Sequence, residues 1–277
     1  MLNQSQQIFL KRGYARYFGE PNENIQYLRQ LLELDDQQPM QYYTIGVNYN
    51  QMFQYDKAIP ELEKSLEIYN RWGIKPAWVP NYIQLGIAYH NTGQYKKEKK
   101  LYKKAEKDFP YHPNIIYRQA VLSLSEGKTK DANGYIEQLI SLLKDRSANE
   151  VSITTILSSI YSEAGILNKA EDYYRKALSL EPENASIMNT LGYFLINKDR
   201  NVDEGVDFIE KALNLQPDNY NYLHTKGWGL YKQGKSQDAL EILQKSWSLR
   251  REKAIYDHAA YLHLEAAKKA VAGQKNN

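Results

Sequence analysis

Five histidines, at 90, 112, 224, 258 and 263, and a number of neighbouring carboxylates are the side chains of this chain best suited to catalysis or metal capture. A helix holds a metal through histidines on one face, as in an HExxH pair spaced four apart. His258 and His263 are five apart, so they fall on different faces, and no HExxH occurs. There is no cysteine, which removes disulfides, thiolate nucleophiles and thiolate metal sites. Carboxylate pairs such as Glu171-Asp172 sit in amphipathic stretches, where solvated charge is the ordinary state. GWGLYKQG (227–234) has the glycine content of a phosphate loop, but its outer glycines fit a repeat described below. No nucleophile, base and orienting group can be assembled from this inventory. An enzyme is therefore not expected, and neither is a metal or other cofactor.

KKEKKLYKKAEK (96–107) carries lysines at 96, 97, 99, 100, 103, 104 and 107. They spread around several helical faces and leave Tyr102 and Ala105 for packing, so a solvated outer surface is expected. The 36 basic and 33 acidic residues give a net charge of only +3. A protein that grips a phosphate backbone is usually far more basic, so nucleic acid is not an expected partner. An apolar fraction of 42% with 25% charged residues suits a folded chain with disorder confined to its ends. Tyrosines number 24 against 6 phenylalanines, which suits elements with one dry and one wet side. No run of about 18 apolar residues exists, so no membrane-spanning helix is expected. MLNQSQQIFLKRGYARYF lacks the basic and apolar regions of a signal peptide. A natural start at Met1 implies a cytoplasmic protein, whereas a signal trimmed from before Met1 would imply an exported or periplasmic one.

The elements behind these side chains recur. Small residues at Gly46, Gly86, Ala120, Ser158, Gly192 and Gly227 are separated by 40, 34, 38, 34 and 35 positions. A period near 34 emerges, with insertions in 69–80 and 142–150 and one extra residue in 196–205. Around each small residue, larger ones mark one helical face, as in Tyr82-Leu85-Gly86-Tyr89 and Met188-Leu191-Gly192-Leu195. A helical glycine costs about 1 kcal/mol relative to alanine. Its return in phase predicts close approach of a second helix, with Ala105, Ala177 and Ala212 on the facing side. Pro110, Pro182 and Pro217 are expected to end second helices, and Gly93, Gly127, Gly165 and Gly234 to turn the chain between paired helices. Such a unit cannot bury its own apolar face and must stack on copies of itself.

LGIAYHNTGQYKKEKKLYKKAEKDFP (85–110) and LSSIYSEAGILNKAEDYYRKALSLEP (157–182) resemble the tetratricopeptide repeat family. So, with small departures, do LGYFLINKDRNVDEGVDFIEKALNLQP (191–217) and KGWGLYKQGKSQDALEILQKSW (226–247). The unit with the inserted YNRWGIKPAW is similar to a longer variant of about 40 residues found in that family. Gln119 and Lys226 replace the usual apolar residue beside the small one, and Ser123 replaces a large one, which makes 113–146 the least regular unit. The resemblance implies an all-α, right-handed superhelical α-solenoid of antiparallel helix pairs, taking residues 1–277 as one array. Residues 1–38 are expected to form a degenerate helical cap, with SQQIFLKRGYARYF, a GEPNEN turn and IQYLRQLLEL. Six repeats fill 39–250. Residues 251–277 supply a capping helix broken near Tyr256, with Ala254, Ala259, Leu262 and Ala266 against the last repeat and QKNN frayed.

In that architecture the first helix of each pair lines a concave groove. The positions expected to face it are Tyr43, Val47 and Asn50, then Ile83, Ile87, His90 and Asn91, then Tyr117, Arg118 and Val121. Farther along come Thr155 and Ser159, Asn189 and Tyr193, and His224, Trp228 and Tyr231. Rings interleaved with amides suit an extended peptide, although each residue could equally pack between neighbouring first helices. Arg118 is the one cation among them, so the carboxylate clamp known in the family is not reproduced. The expected function is a non-enzymatic module that binds a peptide or protein segment. The alternative is a structural subunit of a larger, envelope-associated assembly that uses convex or terminal surfaces.

Overall fold

The computed structural model describes residues 3–17 and 21–274. The regular structure of these residues is entirely α-helical and falls into two compact units, Met1–Ser147 and Ala148–Asn277. The first unit contains α1 (Gln4–Tyr17), α2 (Pro21–Leu34), α3 (Pro39–Gln51), α4 (Tyr55–Arg71), α5 (Pro80–Asn91), α6 (Tyr95–Asp108), α7 (Pro113–Ser125) and α8 (Thr129–Asp145). The second contains α9 (Glu150–Glu163), α10 (Leu167–Leu180), α11 (Ala185–Asn197), α12 (Val202–Leu215), α13 (Tyr220–Lys232), α14 (Ser236–Glu252) and α15 (His258–Gln274). Within each unit every helix packs on the next one along the chain. The first helices of successive pairs also touch, α3 with α5 and α5 with α7, and α11 with α13.

Local chemistry sets the helix boundaries. Pro39, Pro80 and Pro113 open α3, α5 and α7, where a missing amide costs nothing. Asn149, Asn184, Asn201 and Asn219 cap α9, α11, α12 and α13, each accepting a backbone N–H with its side chain. Pro110, Pro182 and Pro217 lie just past the ends of α6, α10 and α12. Gly93, Gly127, Gly165 and Gly234 take φ between +69° and +79° in the turns within pairs. Phe53 and Asp199 adopt the same left-handed backbone in the two pairs that lack a glycine there. The insertion in 69–80 extends α4 to Arg71 and adds the loop 72–79.

All six small residues of the repeat are buried. Their partners differ from those expected. A Cβ at Gly46 would run into Leu62, one at Gly86 into Tyr102 and one at Gly227 into Leu243, each sixteen residues downstream. Ala105 lies three positions beyond Tyr102, and Ala212 three beyond Ile209, the side chain that a Cβ at Gly192 would meet; both alanines are fully buried, in clusters that also hold Ile115 and Tyr222 respectively. The glycine therefore makes room for one large side chain rather than for an apposed alanine. At Gly192 the approach is closer still, since a Cβ would lie 2.8 Å from the carbonyl oxygen of Gly205 on the paired helix.

The ends bring two further corrections. PNEN opens α2 instead of forming a turn, because proline suits the first helical position; Gly19 and Glu20 lie outside the described residues. The C-terminal break lies near Tyr256 as expected, over 253–257 with Ala254 at φ 55°, and α15 follows; the face that α15 buries is what differs. Its buried face is Ala260, Leu264, Ala267 and Val271, while Leu262 is exposed. The phase counted from Ala254 therefore fails, since the intervening break resets it. Of the QKNN tail, residues 275–277 lie outside the described residues.

Candidate functional site

In the first unit, Tyr43 and Val47 on α3, Ile83 and Ile87 on α5, and Tyr117 and Arg118 on α7 are half-buried. The Arg118 guanidinium lies over the Tyr117 ring at 5.2 Å. Asn50 is buried, and its Nδ2 donates to the carbonyl oxygen of Gln84 at 2.9 Å and to Gln84 Oε1 at 3.0 Å, tying α3 to α5. Val121 is buried too. Asn91 is exposed and donates to the Ile87 carbonyl of its own helix at 2.8 Å.

His90 reaches sideways. Its Nδ1 stands 3.0 and 3.2 Å from the two oxygens of Glu98, a carboxylate with 0% exposure. Burial pushes the Glu98 carboxyl above its ordinary range, against the opposing pull of His90 and Arg118. Sequence reasoning misses Glu98 as a functional group, yet a signal exists. Counting from each small residue, the same repeat place holds Ala58, Ala132, Ala170 and Ala239, and Gly205 after the extra turn residue. A carboxylate among alanines marks a departure from pure packing.

In the second unit, Thr155 and Ser159 on α9 donate to backbone carbonyls of their own helix. Asn189 on α11 accepts from Thr225 Oγ1 at 2.9 Å, joining α11 to α13. His224 is buried, and its Nε2 lies 2.9 Å from His263 Nδ1 on α15. Trp228 stacks on His263 at 3.7 Å between ring centroids and on Tyr231 at 4.9 Å. Tyr193 approaches His224 at 6.3 Å. These four aromatic positions thus form one packed column that runs onto α15. A cavity of about 460 Å³ opens beside α9 and α11 over Tyr174 and Ala177, lined by Thr155, Ile156, Ile187 and Thr190.

The lysine-rich α6 borders a cleft of about 440 Å³ with α4, floored by Leu66, Leu85, Tyr89 and Leu101. Lys97 reaches Glu63 at 3.4 Å, and Lys104 reaches Asp108 at 3.3 Å and the Tyr82 hydroxyl at 2.8 Å, so part of the run is neutralised locally. Among the described residues no cluster of three or more His, Asp or Glu side chains could hold a metal, and no helix is long and apolar enough to cross a membrane.

Compared with known families, three segments match the tetratricopeptide repeat: 42–71, 79–107 and 155–184, which are the pairs α3–α4, α5–α6 and α9–α10. The chain carries tetratricopeptide repeats. Among solved structures, a tetratricopeptide repeat protein from Parabacteroides merdae is similar over 96% of this chain and 100% of its own, at 12% identity and a TM-score of 0.52. The Cut9–Hcn1 hetero-tetramer of the APC/C aligns over 92% of this chain and 48% of its own, at 15% identity and a TM-score of 0.48. At 12% identity the likeness to the Parabacteroides merdae protein concerns the fold. Among curated proteins, the human protein O-mannosyl-transferase TMTC1 is 28% identical over 107 residues, 39% of this chain. That stretch spans only 12% of the human protein's length.

Proposed function

We propose that this tetratricopeptide repeat protein is a non-enzymatic interaction scaffold whose first helices hold a peptide or protein segment. The observation that carries the reading is the row Tyr43, Val47, Ile83, Ile87 and Tyr117, half-buried along three adjoining first helices of the first unit. The polar groups interleaved with it are already engaged. Asn50 joins α3 to α5, Asn91 bonds its own helix, and His90 bonds Glu98. Recognition on this face therefore rests on apolar contact and shape, with Arg118 at its margin, and it depends only modestly on salt.

Selection of a displayed random peptide library on the full chain tests the reading. Enriched peptides should carry apolar side chains and lose at least tenfold in affinity for an Ile87→Asp/Tyr117→Asp variant whose melting curve is retained. Equal binding to both proteins would remove this face from consideration.

A second reading, an assembly subunit, is favoured by the loop between α4 and α5. There Trp72, Ile74 and Trp78 are 48%, 53% and 55% exposed, an unusual concentration of apolar surface. Light scattering over a range of protein concentrations, with and without Trp72→Ser/Trp78→Ser, tests it: a concentration-independent monomer in both removes that reading.

A further inference from the structure

We propose that α15 is a proton-released cap over the aromatic end of the second unit, with the His224–His263 pair as its sensor. The cap lies where the first helix of another pair would lie, packed on α13 and α14. Its apolar hold is a single face: Ala260, Leu264, Ala267 and Val271 are buried, and Leu264 and Ala267 join Leu243, with Tyr231, Leu240 and Trp247 around them. A helix held through one face opens more readily than helices packed on both sides.

The polar hold is the hydrogen bond from one imidazole to the other, His224 Nε2 to His263 Nδ1 at 2.9 Å. With both rings neutral, one facing nitrogen carries a hydrogen and the other a lone pair, so the bond is satisfied. One added proton goes to an outward nitrogen and places a charge in a site closed off by Trp228. A second puts hydrogens on both facing nitrogens and destroys the bond.

Each element around the pair contributes. α13 supplies His224 and Lys232, α14 supplies Arg250, and the segment before α15 supplies Asp257. Burial holds His224 down to about 3, and the neighbouring His263 and Arg250 add to this against Asp257. Burial also holds His263 down to about 4, opposed by Asp257 and reinforced by Lys232. Asp257 is itself paired with Arg250 at 3.3 Å, which weakens its ability to stabilise a protonated ring. Both docked values lie below the ordinary histidine value, so docking is fully supported above about pH 6.5 and loses support as pH falls toward 4. When both rings take up protons on release, the released population rises by up to about a hundredfold for each pH step of one. Release uncovers the face of Trp228 that His263 now occupies. Only the consequence for partner binding rests on the groove reading above; the release itself does not.

Hydrogen exchange on the full chain, corrected for intrinsic rates, tests the proposal between pH 7 and pH 4.5. Protection of 258–274 should fall at least tenfold between pH 6.5 and pH 5 while 236–252 keeps its own. A His224→Gln/His263→Asn variant keeps a donor and an acceptor but no titrating ring, and its α15 protection should be flat over that range. Constant protection in the wild type, simultaneous loss from α14, or an identical fall in the variant would each overturn the proposal. Should the variant not fold, imidazole ¹⁵N titration of the wild type decides: both rings should titrate well below 6.5, and ordinary titration of both with α15 still protected overturns it. Peptide affinity unchanged between pH 7 and pH 5 while α15 releases would separate the cap from the groove reading and leave release intact.

Discussion

Tyr102 on α6 fills the volume that a side chain at Gly86 on α5 would need. The Tyr102 ring is almost fully buried, so it cannot swing aside without emptying its own site. Gly86→Ala should therefore cost roughly 1–3 kcal/mol by overpacking, despite the helix propensity that alanine adds. Gly134 on α8 supplies the control, because nothing lies within 4 Å of its would-be Cβ. Gly134→Ala should stabilise the chain by about 0.5–1 kcal/mol. Chemical denaturation of both variants checks the pair: equal shifts would show that close helix approach is not what keeps glycine at 86.

Much of this architecture is legible in the residues alone. The period, the prolines past α6, α10 and α12, and the left-handed Gly93, Gly127, Gly165 and Gly234 follow from backbone rules that act within a few residues. Which knob meets which small residue is not legible, since the choice between Tyr102 and Ala105 depends on how far one helix rotates against another. The phase of α15 is lost for a related reason: the break at Ala254 interrupts the periodicity used to count it. Among the candidate groove residues, Asn50 and His224 carry the same residue types that a peptide site would use. Their hydrogen bonds to Gln84 and His263 cross between helices 34 and 39 residues apart, which local patterning cannot anticipate.

Phe53 occupies the turn position that four other pairs give to glycine, at φ 58°. A side chain in that region costs about 1 kcal/mol or more. Half of the residue is exposed, and its ring meets Tyr55 at 6.4 Å in a tilted arrangement. Phe53→Gly should raise stability by roughly 0.5 kcal/mol, the relieved strain exceeding the added freedom of the unfolded chain. A lowered thermal midpoint would show instead that the ring's contacts outweigh the backbone strain.

Glu98 places a carboxylate where packing elsewhere in the chain uses alanine or glycine, and its folded value is raised by burial. A raised carboxyl stabilises the fold below its unfolded value near 4.5 and loses that contribution as pH rises through the folded value. Glu98→Gln keeps the shape and a hydrogen bond to His90 while removing the charge. The variant should therefore be more stable than the wild type at pH 8, with the gap closing toward pH 5. Glu98→Ala should behave differently, since it leaves His90 Nδ1 without its partner at a cost of about 1–3 kcal/mol. Urea denaturation of the three proteins at pH 5 and pH 8 measures both effects. A Gln variant weaker than the wild type by the same amount at both pH values would mean that pairing with His90 outweighs the burial of the charge.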